Sequence, residues 1–481
     1  MKKIYISVIF ILFQLNLNAS DLINSPKIEP LFTLENISQK TELTPEELII
    51  SSIEFSEIDS QSFQAKEILE KYSQLEKIVT SSEFTKLNET DRAKQILSLM
   101  YEKTLTTYIE SQSRITTMFQ KGTYNCVSSS ILYLSLAKAA GLKVIPQKTP
   151  SHAFCSVYIN EEKIDVETTN PYGFNPGTKH ELQAQNNKKA YAIIPQIKYQ
   201  NRIEISEKNL ISLIGANLYG IYLDKNIFEP AIQLALARIN FLKTENTKIK
   251  EEARSDLDTI FSNYSIFLEN KNNYFHSLNF LKDCVNKIEI TEKLKETYNI
   301  SLYNATVHEL NNRNITHAKE LFDSHKENIS YDFQIKISEM IYIEELQSKL
   351  ENATITEALQ ILDNTEKEIT LTQNQNNLRI NNLKEFFWIE SINQEAAKEN
   401  YIQAAKMADD YLLKMPNSQN LKQLKKTCLK NHEIYIHNKI VPLVNQKKYS
   451  QAMKILQEGL KENPTSIEIQ NDINRLKKVS Y

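Results

Sequence analysis

One stretch of the chain carries residue types that could perform nucleophilic chemistry. Cys126 follows Gly122-Thr-Tyr-Asn and opens an apolar run that predicts a helix. A thiol at a helix N-terminus meets unpaired N–H groups and the positive end of the helix dipole, and both favour the thiolate. The thiolate is the nucleophilic form of cysteine. We therefore expect Cys126 to attack an electrophilic centre.

A histidine and two acidic residues follow in an order that would complete such a site. His152 begins a β-rich run, where its ring can project toward the start of the helix and exchange a proton. A carboxylate on the neighbouring strand would orient the imidazole and stabilise its charged form. Asp165 and Glu167 alternate onto one strand face, so either could reach His152, and the register decides. The predicted catalytic residues are Cys126, His152, Glu167 and Asp165.

The residues around Cys126 suggest how the negative charge of a reaction intermediate could be stabilised. The backbone N–H of Cys126 is the expected first oxyanion donor. Asn125 or Tyr124 could supply a second. Ser128 to Ser130 occupy the first helical turn, where hydroxyls satisfy free N–H groups, and are interpreted as structural.

The remaining cysteines point neither to a disulfide framework nor to a metal site. Cys155, Cys284 and Cys428 are scattered, no C-x-x-C pair occurs, and the eight His are dispersed. We expect Cys155 in the core, although in an oxidising compartment it could bridge to Cys126 and silence it. No metal or organic cofactor is predicted.

Residues 1–20 have the layout of a secretory signal peptide. Lys2 and Lys3 precede the apolar run Ile4–Leu17, and the small residues Ala19 and Ser20 follow. This run is too short to span a bilayer, and no longer apolar run occurs elsewhere. The prediction is an exported protein, periplasmic or secreted, with no membrane span in the mature chain.

Composition limits the class of partner and of fold. The 57 Lys and Arg nearly balance the 60 Asp and Glu, giving a net charge of −3, which argues against nucleic acid or an anionic membrane as main partner. With 7 Gly and 12 Pro in 481 residues, the chain has too few turn formers for an all-β protein. We expect a mostly helical structure.

Helices and short strands must position the candidate site. Before it, helices are predicted after Thr44, over Ser62–Val79 and after Asn88, and the helix Val127–Ala140 is apolar all round and so should be buried. After it, four β-rich runs and one loop are predicted: Leu142–Ile145, Ala153–Ile159, Ile164–Thr168 and Tyr191–Ile194, with the loop over Asn170–Asn187. Asn160-Glu161-Glu162 should join the middle two runs in a hairpin.

Beyond about Ile205 the pattern is helical and repetitive. A recurring unit places a small residue three positions after an aromatic residue or Ile, and an apolar residue four positions later. Its small residues are separated by 40 to 48 residues. The six copies are Phe228/Ala231/Ala235, Tyr274/Ser277/Leu281, Ile315/Ala318/Phe322, Ile355/Ala358/Leu362, Tyr401/Ala404/Ala408 and Tyr449/Ala452/Leu456.

Two family resemblances follow from these motifs. Cys126, His152-Ala153-Phe154 and Val166-Glu167-Thr168-Thr169 resemble the Cys, His and acid motifs of the transglutaminase-like superfamily, whose usual third residue is Asp. The resemblance implies an α+β, papain-like domain with N-terminal helices over 21–205, in which Glu167 is the third catalytic residue. The later units resemble tetratricopeptide repeats, implying an all-α helical-repeat domain over 206–481.

Two functions are therefore expected from the sequence. The first is a cysteine-dependent hydrolase or transferase acting on acyl bonds of a protein or peptide, with the helical repeats binding a protein partner. Hydrolysis is favoured over cross-linking, and a cell-wall peptide is an alternative substrate. The second is a catalytically inactive transglutaminase-like scaffold whose repeats mediate protein–protein interaction.

Overall fold

The computed structural model describes residues 25–176, 201–369 and 374–479, and side chains are described outside 366–379. The predicted signal peptide, the predicted strand Tyr191–Ile194 and the part of the predicted loop beyond residue 176 lie outside the described residues. The chain divides into two compact units. One comprises the described residues up to Asn311 together with Ala318–Gln334, and the other comprises Asn312–His317 with the residues from Ile335 onward.

Six helices precede Cys126 in the described part of the first unit, and local capping explains where several begin. Thr44 caps the second of them in a reciprocal capping box with Glu47, and Ser62 and Asn88 cap the third and fifth, as the sequence predicts. The helices are α1 (Glu35–Ser38), α2 (Pro45–Phe55), α3 (Phe63–Val79), α4 (Ser82–Thr85), α5 (Glu89–Lys103) and α6 (Ile115–Lys121).

The central helix of this unit is α7 (Cys126–Ala139). Every residue from Val127 to Ala137 is buried, which confirms the prediction made from its apolar sequence. Helices α2, α3 and α5 pack around it on one side. A sheet covers another side, so the start of α7 is held between helices and strands.

Within the described residues the sheet has four antiparallel strands in the order β5-β4-β3-β6. A separate parallel pair, β1 and β2, lies just before α7. The strands are β1 (Thr107–Tyr108), β2 (Thr123–Tyr124), β3 (Lys143–Thr149), β4 (His152–Ile159), β5 (Glu162–Val166) and β6 (Ile203–Glu204). Helix α7 packs on β3 and β4, so His152 begins a strand that lies against the helix that Cys126 begins.

The predicted hairpin is formed by β4 and β5. Asn160 and Glu161 form its two-residue turn, and both have positive φ, which asparagine tolerates better than most residues. The register pairs Ile159 with Glu162 and Cys155 with Val166. Glu167 therefore lies just beyond the last paired residue of β5.

The rest of the described chain is helical. Helix α8 packs on α2, α7 and β3, and α8 to α12 belong to the same compact unit as the sheet. The helices are α8 (Glu207–Asp224), α9 (Phe228–Phe241), α10 (Thr247–Glu269), α11 (Tyr274–Lys287), α12 (Glu292–Asn311), α13 (Ile315–His325), α14 (Tyr331–Leu350), α15 (Ile355–Ile369), α16 (Asn374–Ala397), α17 (Tyr401–Lys414), α18 (Gln419–Asn445), α19 (Tyr449–Glu462) and α20 (Ile467–Val479). The protein is thus mostly helical with small sheets.

The recurring sequence unit marks a recurring local structure. Each of its six copies starts a helix at its first residue, and these helices are α9, α11, α13, α15, α17 and α19. The six small residues are all fully buried. In five copies a residue with positive φ lies two positions before the helix: Asn226, Asn272, Arg313, Glu399 and Lys447. The chain therefore makes similar helix–turn–helix connections at these five copies.

Close helix packing in the second unit depends on small residues. Ala404, Ala405 and Ala408 lie in one buried cluster with Trp388, whose ring stacks on Tyr411 at 4.9 Å between centroids. Gly459 plays the same part in α19, because a Cβ there would come within 2.9 Å of Ile436 on α18. A larger side chain at any of these positions would push the paired helices apart.

The described helices were also compared with the requirements of a bilayer span. None of them combines the necessary length with sufficient apolarity.

Candidate active site

Cys126 is the first residue of α7, as the sequence predicts. Asn125 caps the helix: its side-chain oxygen accepts from the N–H groups of Val127 and Ser128 at 3.0 and 3.2 Å. Ser128 Oγ in turn accepts from the N–H of Asn125 at 3.0 Å. This reciprocal cap fixes the backbone on both sides of Cys126, whose side chain remains partly exposed.

His152 and Glu167 form a buried pair beside this helix start. His152 Nε2 lies 2.7 Å from Glu167 Oε2, and the two residues are 5% and 3% exposed. Cys126 lies close enough to the imidazole to raise the pKa of the ring, and both residues line the same cavity. The structure therefore brings together Cys126, His152 and Glu167 in one chain of contacts.

The environment of His152 favours its charged form. Burial by itself lowers the pKa of the ring because it disfavours the imidazolium. Hydrogen bonds to Cys126 and Glu167, with the negative charges of both groups, act in the opposite direction and prevail. They raise the pKa of His152 from 6.5 to about 10. The ring therefore carries a proton at neutral pH that it can deliver.

Asp165, the other candidate acid, does not reach His152. Its carboxylate accepts a hydrogen bond from Ser156 Oγ at 2.8 Å and forms an ion pair with Arg202. The register explains this, because Asp165 lies directly opposite Ser156 in the hairpin. The sequence left the choice between the two acids to the register, and the structure places Glu167 at the imidazole.

A tight loop after β5 holds the Glu167 carboxylate. Its second oxygen accepts from the backbone N–H and the hydroxyl of Thr169, at 3.0 and 2.5 Å. The N–H of Glu167 donates to the carbonyl of Gly173 at 2.8 Å, which closes the loop. A Cβ at Gly173 would overlap the carbonyl oxygen of Glu167, so only glycine fits there.

Thr168 ties the same loop to the nucleophile helix. Its hydroxyl lies 2.8 Å from Ser129 Oγ and 3.0 Å from Ser130 Oγ, and all three residues are fully buried. Because these serines occupy the first turn after Cys126, the contact ties the loop that carries Glu167 to the start of α7. The serines are structural, as expected, and they also position the site.

The two expected second oxyanion donors, Asn125 and Tyr124, are engaged elsewhere. Asn125 Nδ2 donates to Glu110 O at 3.0 Å and to Ser113 Oγ at 2.8 Å. The Tyr124 hydroxyl is fully buried and lies 3.1 Å from that of Tyr101. Both expectations are therefore wrong, since a helix cap and a buried hydroxyl network use these groups.

Tyr108 is a better-placed donor that the sequence did not single out. Tyr108 pairs with Tyr124 in the β1–β2 ladder, and Tyr124 lies two positions before Cys126 in the sequence. Tyr108 also lines the same cavity as Cys126. Burial, followed by the charges of Cys126 and Glu110, raises the pKa of its hydroxyl, so the O–H remains protonated. Within the described residues neither this hydroxyl nor the N–H of Cys126 has a hydrogen-bond acceptor.

A cavity of about 330 Å³ opens in front of Cys126 and His152. One of its walls is a face of α8, formed by Leu213, Asn217 and Ile221. No sequence signal connects α8 with the nucleophile, because the contact arises only from packing. The remaining lining includes Tyr108, Glu110, Ser111, Val127, Lys148, Thr149, Pro150, Ser151 and Ala153.

The other cysteines lie away from this chemistry. All four cysteines are free, so Cys155 does not bridge to Cys126. Cys155 is fully buried and donates to the carbonyl of Ser130 at 3.5 Å. Burial raises the pKa of the thiols of Cys155, Cys284 and Cys428. These three thiols are therefore in their unreactive form at neutral pH.

Comparison with family models, with curated proteins and with solved structures gave no match to this chain. The resemblance to the transglutaminase-like superfamily stays a prediction.

Proposed function

We propose that the chain is an exported, transglutaminase-like cysteine enzyme that cleaves or transfers acyl groups of a protein or peptide. The observation that supports this most directly is that Glu167 contacts His152 and that His152 interacts with Cys126. Cys126 and His152 both line an open cavity. Nucleophilic catalysis requires a nucleophile, a proton carrier and an acid that orients the proton carrier. We assign these roles to the partly exposed Cys126, to His152 with its raised pKa and to the buried Glu167.

The reaction begins from the Cys126 thiolate beside the protonated imidazole of His152. The sulfur attacks the substrate carbonyl carbon, and the C=O electron pair moves onto oxygen. The imidazolium then protonates the leaving nitrogen or oxygen as its bond to carbon breaks, which leaves a thioester on Cys126. Water or an amine, deprotonated by His152, attacks the thioester and restores the thiolate. Glu167 keeps the ring oriented and stabilises its charge throughout.

Two donors are available for the oxygen that becomes negative during attack. The N–H of Cys126 points from the start of α7, where the helix dipole adds to the attraction. We assign the second contact to the Tyr108 hydroxyl, because Tyr108 lines the same cavity as Cys126. An oxyanion bound by these two groups would lie beside the attacking sulfur.

The helical repeats are proposed to bind a protein partner. This part of the proposal is supported by the regular starts of α15, α17 and α19 and by their fully buried small residues. Such hairpins present extended surfaces in repeat proteins. The partner is expected to be a protein, in keeping with a nearly balanced net charge of −3.

Alkylation of Cys126 tests the proposed function without a known substrate. At pH 6 an ordinary thiol is almost entirely protonated, whereas a thiol that gives its proton to a neighbouring imidazole still reacts. We expect iodoacetamide to alkylate Cys126 about 100-fold faster in the native protein than in His152→Ala. Mass spectrometry of the modified peptides measures the rate at each cysteine.

The test compares the rate at Cys126 between two variants and does not compare Cys126 with other cysteines, because Cys155 and Cys284 would react slowly through burial alone. Asp165→Asn is the matched control and should keep the native rate, because Asp165 contacts Ser156 and Arg202 instead of His152. An equal rate in the native protein and His152→Ala would favour the inactive scaffold.

A further inference from the structure

Two charged side chains that line the cavity, Lys148 and Glu110, differ in whether an opposite charge neutralises them. Lys148 is the cationic side chain of the lining other than His152, and its Nζ lies 2.6 Å from Glu252 Oε1 on α10. Arg238 also approaches the same carboxylate at 3.8 Å. The positive charge of Lys148 is therefore largely neutralised by a residue outside the cavity.

Glu110 provides the opposite charge, and it is not compensated. Its side chain is exposed at the rim and has no cationic partner within the described parts of the chain. Its carbonyl accepts from Nδ2 of Asn125 at 3.0 Å, and Asn125 caps the nucleophile helix. The backbone of Glu110 is thus tied to the residue that precedes Cys126, which fixes the rim relative to the sulfur.

The neighbours of Glu110 suit a cation carried on an aliphatic stem. The Tyr108 ring lies two residues away in the same lining, and an aromatic face attracts cations. After burial and the charge of Cys126, the charge of Glu110 also raises the pKa of the Tyr108 hydroxyl. Across the cavity, Leu213 and Ile221 of α8 offer apolar surface for methylene groups.

We infer that the cavity selects acyl substrates that carry a positively charged group beside the scissile bond, and that the carboxylate of Glu110 binds this group. The group is an ammonium or guanidinium, borne by a Lys or Arg side chain or by a free peptide N-terminus. This inference rests on the proposed function, because it concerns the substrate of the same nucleophile.

Peptidyl acyloxymethyl ketones that alkylate Cys126 provide the probes. Three N-acetylated probes differ at the residue beside the ketone, which is Lys, norleucine or Glu; norleucine matches the Lys stem without its charge. A further alanine pair has either a free or an acetylated α-amine. The alkylation rate of each probe is divided by the iodoacetamide rate of the same variant.

In the native protein the Lys probe should react about fivefold faster than the norleucine probe, and the Glu probe more slowly. Glu110→Gln should equalise the Lys and norleucine rates, and Glu110→Lys should favour the Glu probe. A preference for the free-amine alanine probe instead would identify the peptide N-terminus as the bound cation, provided that Glu110→Gln abolishes it. High salt should weaken the preference.

Glu83→Gln on the exposed helix α4 is the matched control and should retain the native preference. Equal native rates for charged and uncharged probes, or a preference that survives Glu110→Gln, would overturn the inference alone. A Cys126 that reacts in the native protein no faster than in His152→Ala, with iodoacetamide and with the ketones, would overturn the proposed function and this inference together.

Discussion

The Nε2 atom of His152 and the Oε2 atom of Glu167 lie 2.7 Å apart in a part of the molecule from which solvent is nearly excluded. The other carboxylate oxygen is held by Thr169. The carboxylate of Glu167 is therefore held by hydrogen bonds at both of its oxygens. Its effect on the imidazole can be measured directly.

Glu167→Gln should shift the titration of His152 to lower pH. The hydrogen bond and the charge of Glu167 both raise the pKa of His152, which lies at about 10 in the native protein. The imidazolium attracts anionic iodoacetate but not neutral iodoacetamide, so the ratio of their alkylation rates at Cys126 reports its charge. This ratio should fall as pH rises through about 10, and earlier in Glu167→Gln. An unchanged midpoint would contradict the assigned role of Glu167.

The same raised pKa has a consequence for stability. Because the folded state binds the His152 proton more tightly than the unfolded chain does, the interaction stabilises the fold fully below pH 6.5. This contribution is lost as pH rises toward about 10. In Glu167→Gln the loss should occur at lower pH, which urea denaturation at several pH values would measure.

Tyr108→Phe should slow acylation while leaving the nucleophile reactive. The substitution removes one hydroxyl that we assign to oxyanion stabilisation, and loss of such a donor costs about 100-fold in rate. Release of nitrophenolate from p-nitrophenyl acetate measures acylation, whereas alkylation by iodoacetamide forms no oxyanion. Equal losses in both reactions would indicate that Tyr108 only supports the structure.

Thr168→Val should destabilise the protein and displace the acid. The change keeps the side-chain shape but removes the contacts of the Thr168 hydroxyl with Ser129 and Ser130, at a cost of about 1 kcal/mol, since the serine hydroxyls still donate to the carbonyls of Asn125 and Ala153. Thr168→Ser keeps the hydroxyl and is the matched control. Urea denaturation gives the free energy of unfolding, and a Val variant as stable as Ser would refute the positioning contact.

Gly173→Ala should be costly, whereas Gly220→Ala should not. A Cβ at Gly173 would overlap the carbonyl oxygen of Glu167, and the forced shift should cost about 2–3 kcal/mol. Gly220 lies in α8 with no atom within 4 Å of an added Cβ, so alanine there should stabilise the helix by about 0.5–1 kcal/mol. Denaturation midpoints of both variants and the native chain provide the measurement.

Local signals in the sequence predicted much of the structure. Thr44, Ser62 and Asn88 cap helices because their oxygens satisfy N–H groups three residues away, which is a short-range interaction. The six repeated units also begin helices at the residues that the sequence pattern marks. The hairpin turn at Asn160 and Glu161 depends only on neighbouring residues.

What the sequence could not predict arises from packing between distant segments. Leu213, Asn217 and Ile221 face the nucleophile only because α8 lies on α2 and α7. The choice of Glu167 over Asp165 followed from the strand register. The error over Asn125 was avoidable, because an Asn before an apolar run with Ser three residues later is itself a helix-capping signal.

The wall contributed by α8 means that the reactive chamber is built from segments on both sides of residue 205. A fragment ending at Ile205 would retain the sulfur, the imidazole and the carboxylate, yet its chamber would be missing one side. It would also uncover the apolar surfaces of α2 and α7 that α8 protects. Proteolytic cleavage between β6 and α8 should therefore leave Cys126, His152 and Glu167 in place but remove the α8 wall that would contact a substrate.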